Sequence, residues 1–218
     1  TQILLSYAYS RRLGEEGKHL LSLGMQAGIT MRSINYSDLL FDEQFDGDGF
    51  NPQIGNSEDF DNDGHTYPDI GAGFSYVYTI GPKFRVGTGL SIQHLNKPDD
   101  SFFDRKVPVD PRFQYDLKAD ADLSEKVSLI PSLLYMSQGP YSELTAGVSA
   151  RLRINRKPGR NYALYLGVSA RQDDAIIPSA GLDFNDLFVG ISYDVNTSDL
   201  ERASNNRGGF EFAAIYTI

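Results

Sequence analysis

Apolar and polar residues alternate strictly over residues 21–31, near the start of the chain. Leu, Met, Ala and Ile occupy the odd positions of this segment, and Ser, Gly, Gln and Thr occupy the even positions. A period of two is typical of a β-strand that has one apolar face and one polar face. The segment is therefore predicted to be a half-buried strand.

The same alternation recurs along the whole chain, and no segment shows the periodicity of a helix. It predicts eleven strands, at residues 1–12, 21–31, 71–80, 84–93, 112–123, 126–137, 144–154, 162–171, 175–184, 187–195 and 210–218. The sequence thus predicts an all-β fold.

Two kinds of β protein show this alternation: a soluble sandwich and a transmembrane barrel. Three features favour the barrel. Many segments reach ten residues or more, the polar face combines Gly and Ser with Arg and Asp, and Tyr or Phe recurs near strand ends as in aromatic girdles. No segment approaches the roughly 18 continuous apolar residues of a membrane helix. We expect a transmembrane antiparallel β-barrel.

The connections between the predicted strands alternate in length. Short turns are expected at residues 14–17, 81–83, 123–126, 155–160 and 185–186, and longer loops at 35–68, 95–111, 138–141, 172–174 and 196–209. Short turns face the periplasm in outer-membrane barrels and longer loops face outwards. With three strands expected before residue 1, the full protein would have about 14 strands, of which about 11 lie in this chain. Residues 1–218 would then form a single barrel domain that lacks its N-terminal strands.

Composition excludes some functions. The chain of 218 residues carries 20 basic and 29 acidic side chains, a net charge of −9. Nucleic-acid binders concentrate basic residues, so nucleic acid is not an expected partner. The absence of cysteine rules out disulfides and thiolate metal sites within the chain.

An acidic segment offers one candidate metal site. Asp59, Asp61 and Asp63 precede Gly64 in the pattern D-x-D-x-D-G, which is typical of the start of a calcium-binding loop. The twelfth position is Ile70, where a complete loop has a bidentate Glu. Calcium bound by these aspartates and a plain solvated acidic loop remain alternatives, and no other cofactor is expected.

Catalysis is not expected from this sequence. The three histidines, His19, His65 and His94, share no metal-ligand spacing. Ser91 lies an odd number of residues from His94, which places the two on opposite faces of a strand. The charged residues of the polar face could line a channel or fill it with ion pairs.

Three segments resemble the PorP/SprF family of the type IX secretion system. They are residues 94–98 (HLNKP), 130–140 (IPSLLYMSQGP) and 190–212 (GISYDVNTSDLERASNNRGGFEF), supported by residues 173–178 (DDAIIP). The last of the three is the most specific. The long acidic loop departs from the family pattern.

This resemblance implies an outer-membrane protein of Bacteroidetes that is not an enzyme. It implies a role, with other type IX secretion components, in the secretion and anchoring of a large surface protein, such as a gliding adhesin with a type B C-terminal domain. We expect the extracellular loops to bind this partner. The candidate contact residues are Asn96, Lys97, Asp99, Asn196, Ser198, Asp199, Arg202 and Asn205. A passive outer-membrane pore and a soluble calcium-binding β-sandwich remain alternatives.

Overall fold

A computed structural model describes residues 1–14, 16–35, 39–51, 53–55, 64–102, 105–157, 160–198 and 207–217. These residues contain eleven strands and one turn of 3-10 helix at Asp42–Gln44. The strands are β1 (Gln2–Leu13), β2 (His19–Ser33), β3 (Gly64–Ile80), β4 (Phe84–Gln93), β5 (Arg112–Asp122), β6 (Val127–Gln138), β7 (Tyr141–Lys157), β8 (Arg160–Arg171), β9 (Ala175–Phe184), β10 (Leu187–Asn196) and β11 (Arg207–Tyr216).

All eleven strands belong to one sheet, in which they follow one another in chain order from β1 to β11. The register of β5 to β11 is antiparallel throughout. A sandwich would divide its strands between two facing sheets. The observed order confirms the predicted all-β antiparallel fold and all eleven predicted strands, and it disfavours the soluble sandwich.

Three predicted connections differ from the structure in ways that change the strands beside them. β3 begins at Gly64, inside the loop predicted at 35–68, because His65, Tyr67 and Asp69 point inwards in alternation with exposed neighbours. β7 and β8 extend to Lys157 and Arg160, so the turn predicted at 155–160 is shorter. Only residues 139–140 connect β6 to β7, where a longer loop was predicted, and Gly139 permits this tight turn with a φ of 55°.

The chain divides into two compact units. The smaller unit comprises Thr1–Tyr7, Met25–Ala72 and Gln93–Pro111, and the larger unit comprises Ala8–Gly24, Gly73–Ile92 and Arg112–Ile218. The smaller unit contains the beginning of β1, the end of β2, the beginning of β3 and the connection that follows β4. The larger unit contains β5 to β11 in full.

The larger unit exposes its apolar face. Phe113 and Leu166 are 53% and 50% exposed. Along β8 to β10 the same face carries the exposed Val168, Leu182, Val189 and Ile191. The buried hydrophobic residues that the structure describes in this unit are Ile130, Ala163 and Ala175. An apolar face of this extent requires a non-aqueous environment, which lipid provides.

The opposite face of the same strands is polar, as the cross-strand register shows. Ser128 faces Arg151 across β6 and β7, and Arg151 faces Tyr165 across β7 and β8. Ser179 faces Ser192 across β9 and β10. In the described part of the chain, no helix has the length and apolar character needed to cross a membrane.

Candidate functional site: a clamped loop and an ion-paired polar face

The β4–β5 loop, residues 94–111, begins with a tight turn. His94 and Lys97 adopt φ values of 56° and 44°, and the amide N–H of Lys97 donates to the carbonyl of His94 at 2.9 Å. The left-handed region is unfavourable for residues other than glycine, so such a turn needs contacts that hold it in place.

Asn96 supplies two of these contacts through its side-chain amide. Its Nδ2 donates to the carbonyl of Pro68 at 2.8 Å, and its Oδ1 accepts from the amide of Ile70 at 3.2 Å. The amide of Leu95 donates to the carbonyl of Ile70 at 3.0 Å. Asn96 therefore attaches the start of the β4–β5 loop to β3.

A buried carboxylate supports the same turn. Asp69 is 2% exposed, and its Oδ1 lies 3.0 Å from Nδ1 of His94. Nε2 of Gln2 donates to the other oxygen of Asp69 at 3.4 Å. Because His94 contacts the same strand as Asn96, its role in this geometry is to position the loop.

Asp99 holds the two arms of the loop together. Its Oδ1 accepts from the amide of Val107 at 2.7 Å, and its carbonyl accepts from Nε2 of His65. The amide of Val109 donates to the carbonyl of Pro98 at 2.8 Å, and Asp99 pairs with Pro108 in an antiparallel bridge. The described arms of the loop, residues 98–100 and 107–109, thus pair as in a small hairpin.

Lys97 differs from the other two candidate residues of this loop. The side chain of Asn96 bonds to the backbone of β3, and that of Asp99 bonds to the backbone of the loop itself. Lys97 is exposed and makes no ion pair with any residue that the structure describes. The geometry therefore leaves Lys97 available to a partner and gives Asn96 and Asp99 positioning roles.

The β10–β11 loop, residues 197–206, is described only at its start. Oδ1 of Asn196 accepts from the amide of Ser198 at 2.9 Å and from its hydroxyl at 2.6 Å. This arrangement is an Asx-turn, which ends β10. The amide of Thr197 donates to the carbonyl of Asp174 at 2.8 Å. The predicted contact residues Asp199, Arg202 and Asn205 lie outside the described residues.

The candidate calcium ligands Asp59, Asp61 and Asp63 also lie outside the described residues. Among the residues that are described, no cluster of three His, Cys, Asp or Glu side chains could hold a metal ion. Asp46 accepts from the backbone amides of Asp48 at 3.1 Å and Gly49 at 3.0 Å. These hydrogen bonds hold the pKa of the Asp46 carboxyl below its ordinary value.

One network of charges lies on the polar face of β5 to β7. Nη2 of Arg151 donates to Asp120 at 2.8 Å and to the hydroxyl of Ser128 at 2.9 Å. That hydroxyl donates to Asp122 at 2.6 Å, and Nη2 of Arg153 donates to the same carboxylate at 2.7 Å. Ser128 is fully buried. The network therefore fixes these side chains against the sheet.

A second network surrounds Arg171, the last residue of β8. Its Nη1 lies 2.8 Å from Asp174 and 3.0 Å from Asp194, and its Nε lies 3.6 Å from Glu143. Three carboxylates thus meet one guanidinium. Together, the two networks pair several charges of the polar face within the protein, as expected of a face filled by ion pairs.

The polar face also carries an aromatic cluster that the sequence analysis does not predict. A cavity of about 580 Å³ lies over this face, and Tyr165, Asp183 and Phe188 contribute to its lining. The hydroxyl of Tyr165 donates to Asp183 at 2.7 Å, and the rings of Tyr165 and Phe188 meet edge to face with centroids 5.6 Å apart. Phe188 alternates with Gly190 and Ser192 in the sequence, and this spacing indicates that its ring lies on the polar face.

Comparison with known proteins agrees with this architecture. No curated protein matches the chain. Residues 1–216 match the family described as type IX secretion system membrane protein PorP/SprF. The single all-β sheet with an exposed apolar face fits an outer-membrane β-barrel. The chain therefore belongs to the PorP/SprF family, whose members are outer-membrane components of the type IX secretion system.

Proposed function

We propose that this protein anchors a large secreted surface protein, an adhesin with a type B C-terminal domain, through its β4–β5 and β10–β11 loops. The family places the protein in the type IX secretion system. Such a system delivers proteins to the cell surface, where exposed loops of a membrane protein are available to bind them. The loops bind the partner, and the apolar face of the strands holds the protein in the membrane.

The observation that carries the proposal is the set of hydrogen bonds that holds the described arms of the β4–β5 loop. Asn96 and Asp99 hold the backbone of these arms, so binding would not require the arms to be ordered at that moment. A preorganised loop loses less conformational entropy when it binds a partner. This supports a binding role more directly than a long loop alone would.

Charge indicates the chemistry of the partner surface. The β4–β5 loop exposes Lys97, Arg105 and Lys106, which make no ion pair with the residues described. Asp100 is instead paired with Arg32 at 2.9 Å. These exposed cations favour an acidic patch on the terminal domain of the partner, since complementary charge steers association and fixes register.

The alternative is a passive pore, and the polar face argues against it. Arg151 and Arg153 are paired with Asp120 and Asp122, and Arg171 is paired with Asp174 and Asp194. Paired charges present little net field to a passing ion. Anchoring by the loops therefore accounts for more of the observed geometry than conduction does.

The test is a pull-down of the tagged full-length protein from native outer membranes in detergent, followed by mass spectrometry. We expect a large surface protein with a type IX terminal domain to co-purify. Charge reversal of Lys97, Arg105 and Lys106 to Glu should reduce its recovery. Lys126→Glu, in the exposed turn between β5 and β6, is the matched control and should not. A barrel recovered alone from wild-type membranes would favour the pore.

A further inference from the structure

A polar cavity in the larger unit is independent of the proposed partner loops. It has a volume of about 320 Å³ and is lined by the turn between β3 and β4, the end of β5 and the polar face of β7. This volume is at the lower end of the range, roughly 300–1,000 Å³, that is typical of small-molecule pockets.

The lining of the cavity is basic, although the chain as a whole is acidic. Its charged residues are Lys83, Arg85, Arg151, Arg153, Asp120 and Asp122. Four cations against two carboxylates give a local excess of two positive charges, in a chain with a net charge of −9. An excess of this kind in a partly enclosed site attracts anions.

The two carboxylates are already engaged by the protein. Asp122 accepts from Ser128 and Arg153, and Asp120 accepts from Arg151. Lys83 and Arg85 are exposed and have no ion-pair partner in the described part of the chain. The positive excess is therefore carried by Lys83 and Arg85, while Arg151 and Arg153 are paired.

Two arginines that line the cavity each have one guanidinium nitrogen without a partner. Nε of Arg151 and Nη1 of Arg153 are buried and make no hydrogen bond to the described residues. The side chains of Arg151 and Arg153 are only 19% and 11% exposed. A buried charged donor without an acceptor is costly, so an anion that either guanidinium turns to meet in the cavity would be favoured.

The walls of the cavity are held by backbone contacts. The amide of Asp122 donates to the carbonyl of Lys83 at 2.7 Å, and the amide of Arg153 donates to the carbonyl of Lys126 at 2.8 Å. A register shift between Arg153 and Asn155 marks an irregularity in β7 directly after Arg153. Such bulges redirect side chains and are common beside functional sites.

We propose that this cavity binds a phosphate group, held by Arg151 and Arg153 and approached past Lys83 and Arg85. Guanidinium groups match the tetrahedral oxygens of phosphate and donate charge-assisted hydrogen bonds to them. The group could belong to free phosphate or to the headgroup of a phosphorylated lipid. The site goes beyond partner binding, because it shares no residue with the β4–β5 or β10–β11 loops.

The test is calorimetric titration of the purified full-length protein in detergent, with ionic strength held constant by chloride. Two probes separate the sources: inorganic phosphate and short-chain dihexanoyl phosphatidate. We expect saturable binding of at least one probe. Arg153→Gln should weaken it by roughly tenfold or more, as expected for loss of a charge-assisted hydrogen bond. Arg171→Gln, which alters the other ion-paired network, should leave it unchanged.

A second variant, at exposed positions, tests the site if the first variant does not fold. If Arg153→Gln fails to fold, as judged by its mobility in unheated gels, the double variant Lys83→Gln/Arg85→Gln decides, and it should also bind at least roughly tenfold more weakly. Binding of phosphatidate alone would assign the site to a lipid headgroup. Absence of saturable binding of both probes, or wild-type affinity in the deciding variant, would overturn the proposal.

Discussion

The ring of Phe188 on β10 lies directly against Gly181 on β9. A Cβ atom at residue 181 would stand 2.7 Å from Cε2 and Cζ of this ring. Gly181 pairs across the strands with Gly190, whose Cβ position would lie 3.0 Å from the same ring. One aromatic side chain thus covers two glycines and compensates for their missing side chains.

Gly181→Ala should displace the ring of Phe188 from Tyr165 and lower the free energy of unfolding by about 1–3 kcal/mol, the usual cost of overpacking. Urea titration in lipid vesicles measures the change. Gly209→Ala is the matched control, because nothing lies within 4 Å of its added Cβ.

The double variant Gly181→Ala/Phe188→Ala tests whether the two residues are coupled. Once the ring is gone, the methyl group has space, so the two single costs should not add. Additive costs would show that the added methyl group destabilises the sheet through some other contact.

Asp99→Ala should loosen the β4–β5 loop. The substitution removes the acceptor for the amide of Val107 and leaves the exposed Arg105 and Lys106 beside a weaker hairpin. Trypsin should then cut after these residues several-fold faster, in line with the roughly 0.5–1.5 kcal/mol of a typical hydrogen bond. Asp99→Asn keeps an acceptor oxygen, so trypsin should cleave this variant as slowly as it cleaves the wild type. Equal cleavage of all three proteins would show that Asp99 does not hold the loop.

Periodicity predicted the strands because their apolar residues recur at every second position, as in residues 21–31. It failed at the start of β3, where His65 and Asp69 point inwards without being hydrophobic. Their partners, Asp99 and His94, lie in a distant part of the chain. Such polar pairs produce no periodic apolar signal, so the strand start could not be found without the structure.

A barrel whose polar face carries paired charges should conduct ions poorly. The acidic partners of Arg151, Arg153 and Arg171 reduce the field that a permeating ion would meet. In planar bilayers, the purified protein should show no steady conductance comparable to that of a general porin measured alongside it. Porin-like, ion-selective conductance would instead favour the passive-pore function.

The acidic segment around Asp59, Asp61 and Asp63 carries the calcium prediction. If these carboxylates bind calcium, millimolar calcium should raise the melting temperature of the protein, because a ligand stabilises the state that binds it. The triple substitution to Asn should abolish the shift. Asp46→Asn should retain it, since the Asp46 carboxylate accepts from its own turn. A shift that persists in the triple variant would place calcium elsewhere.

The candidate contact residues could be named from the sequence, but their roles could not. Asn96 and Lys97 are adjacent and both exposed, yet the side chain of Asn96 bonds to the backbone of β3 and Lys97 makes no ion pair with the described residues. The difference arises from the left-handed turn at His94 and Lys97, which directs the amide of Asn96 towards Pro68 and Ile70. Long-range contacts of this kind leave no local pattern.

The central claim, that the loops anchor a secreted surface protein, is tested most directly on whole cells. Residues 98–109 would be replaced by a Gly-Ser linker of equal length in the full-length protein. Surface adhesin would then be quantified by antibody labelling, with outer-membrane levels of the variant measured in parallel. We predict that the variant inserts normally while the adhesin is lost from the surface. Normal display of the adhesin by an inserted variant would contradict the claim.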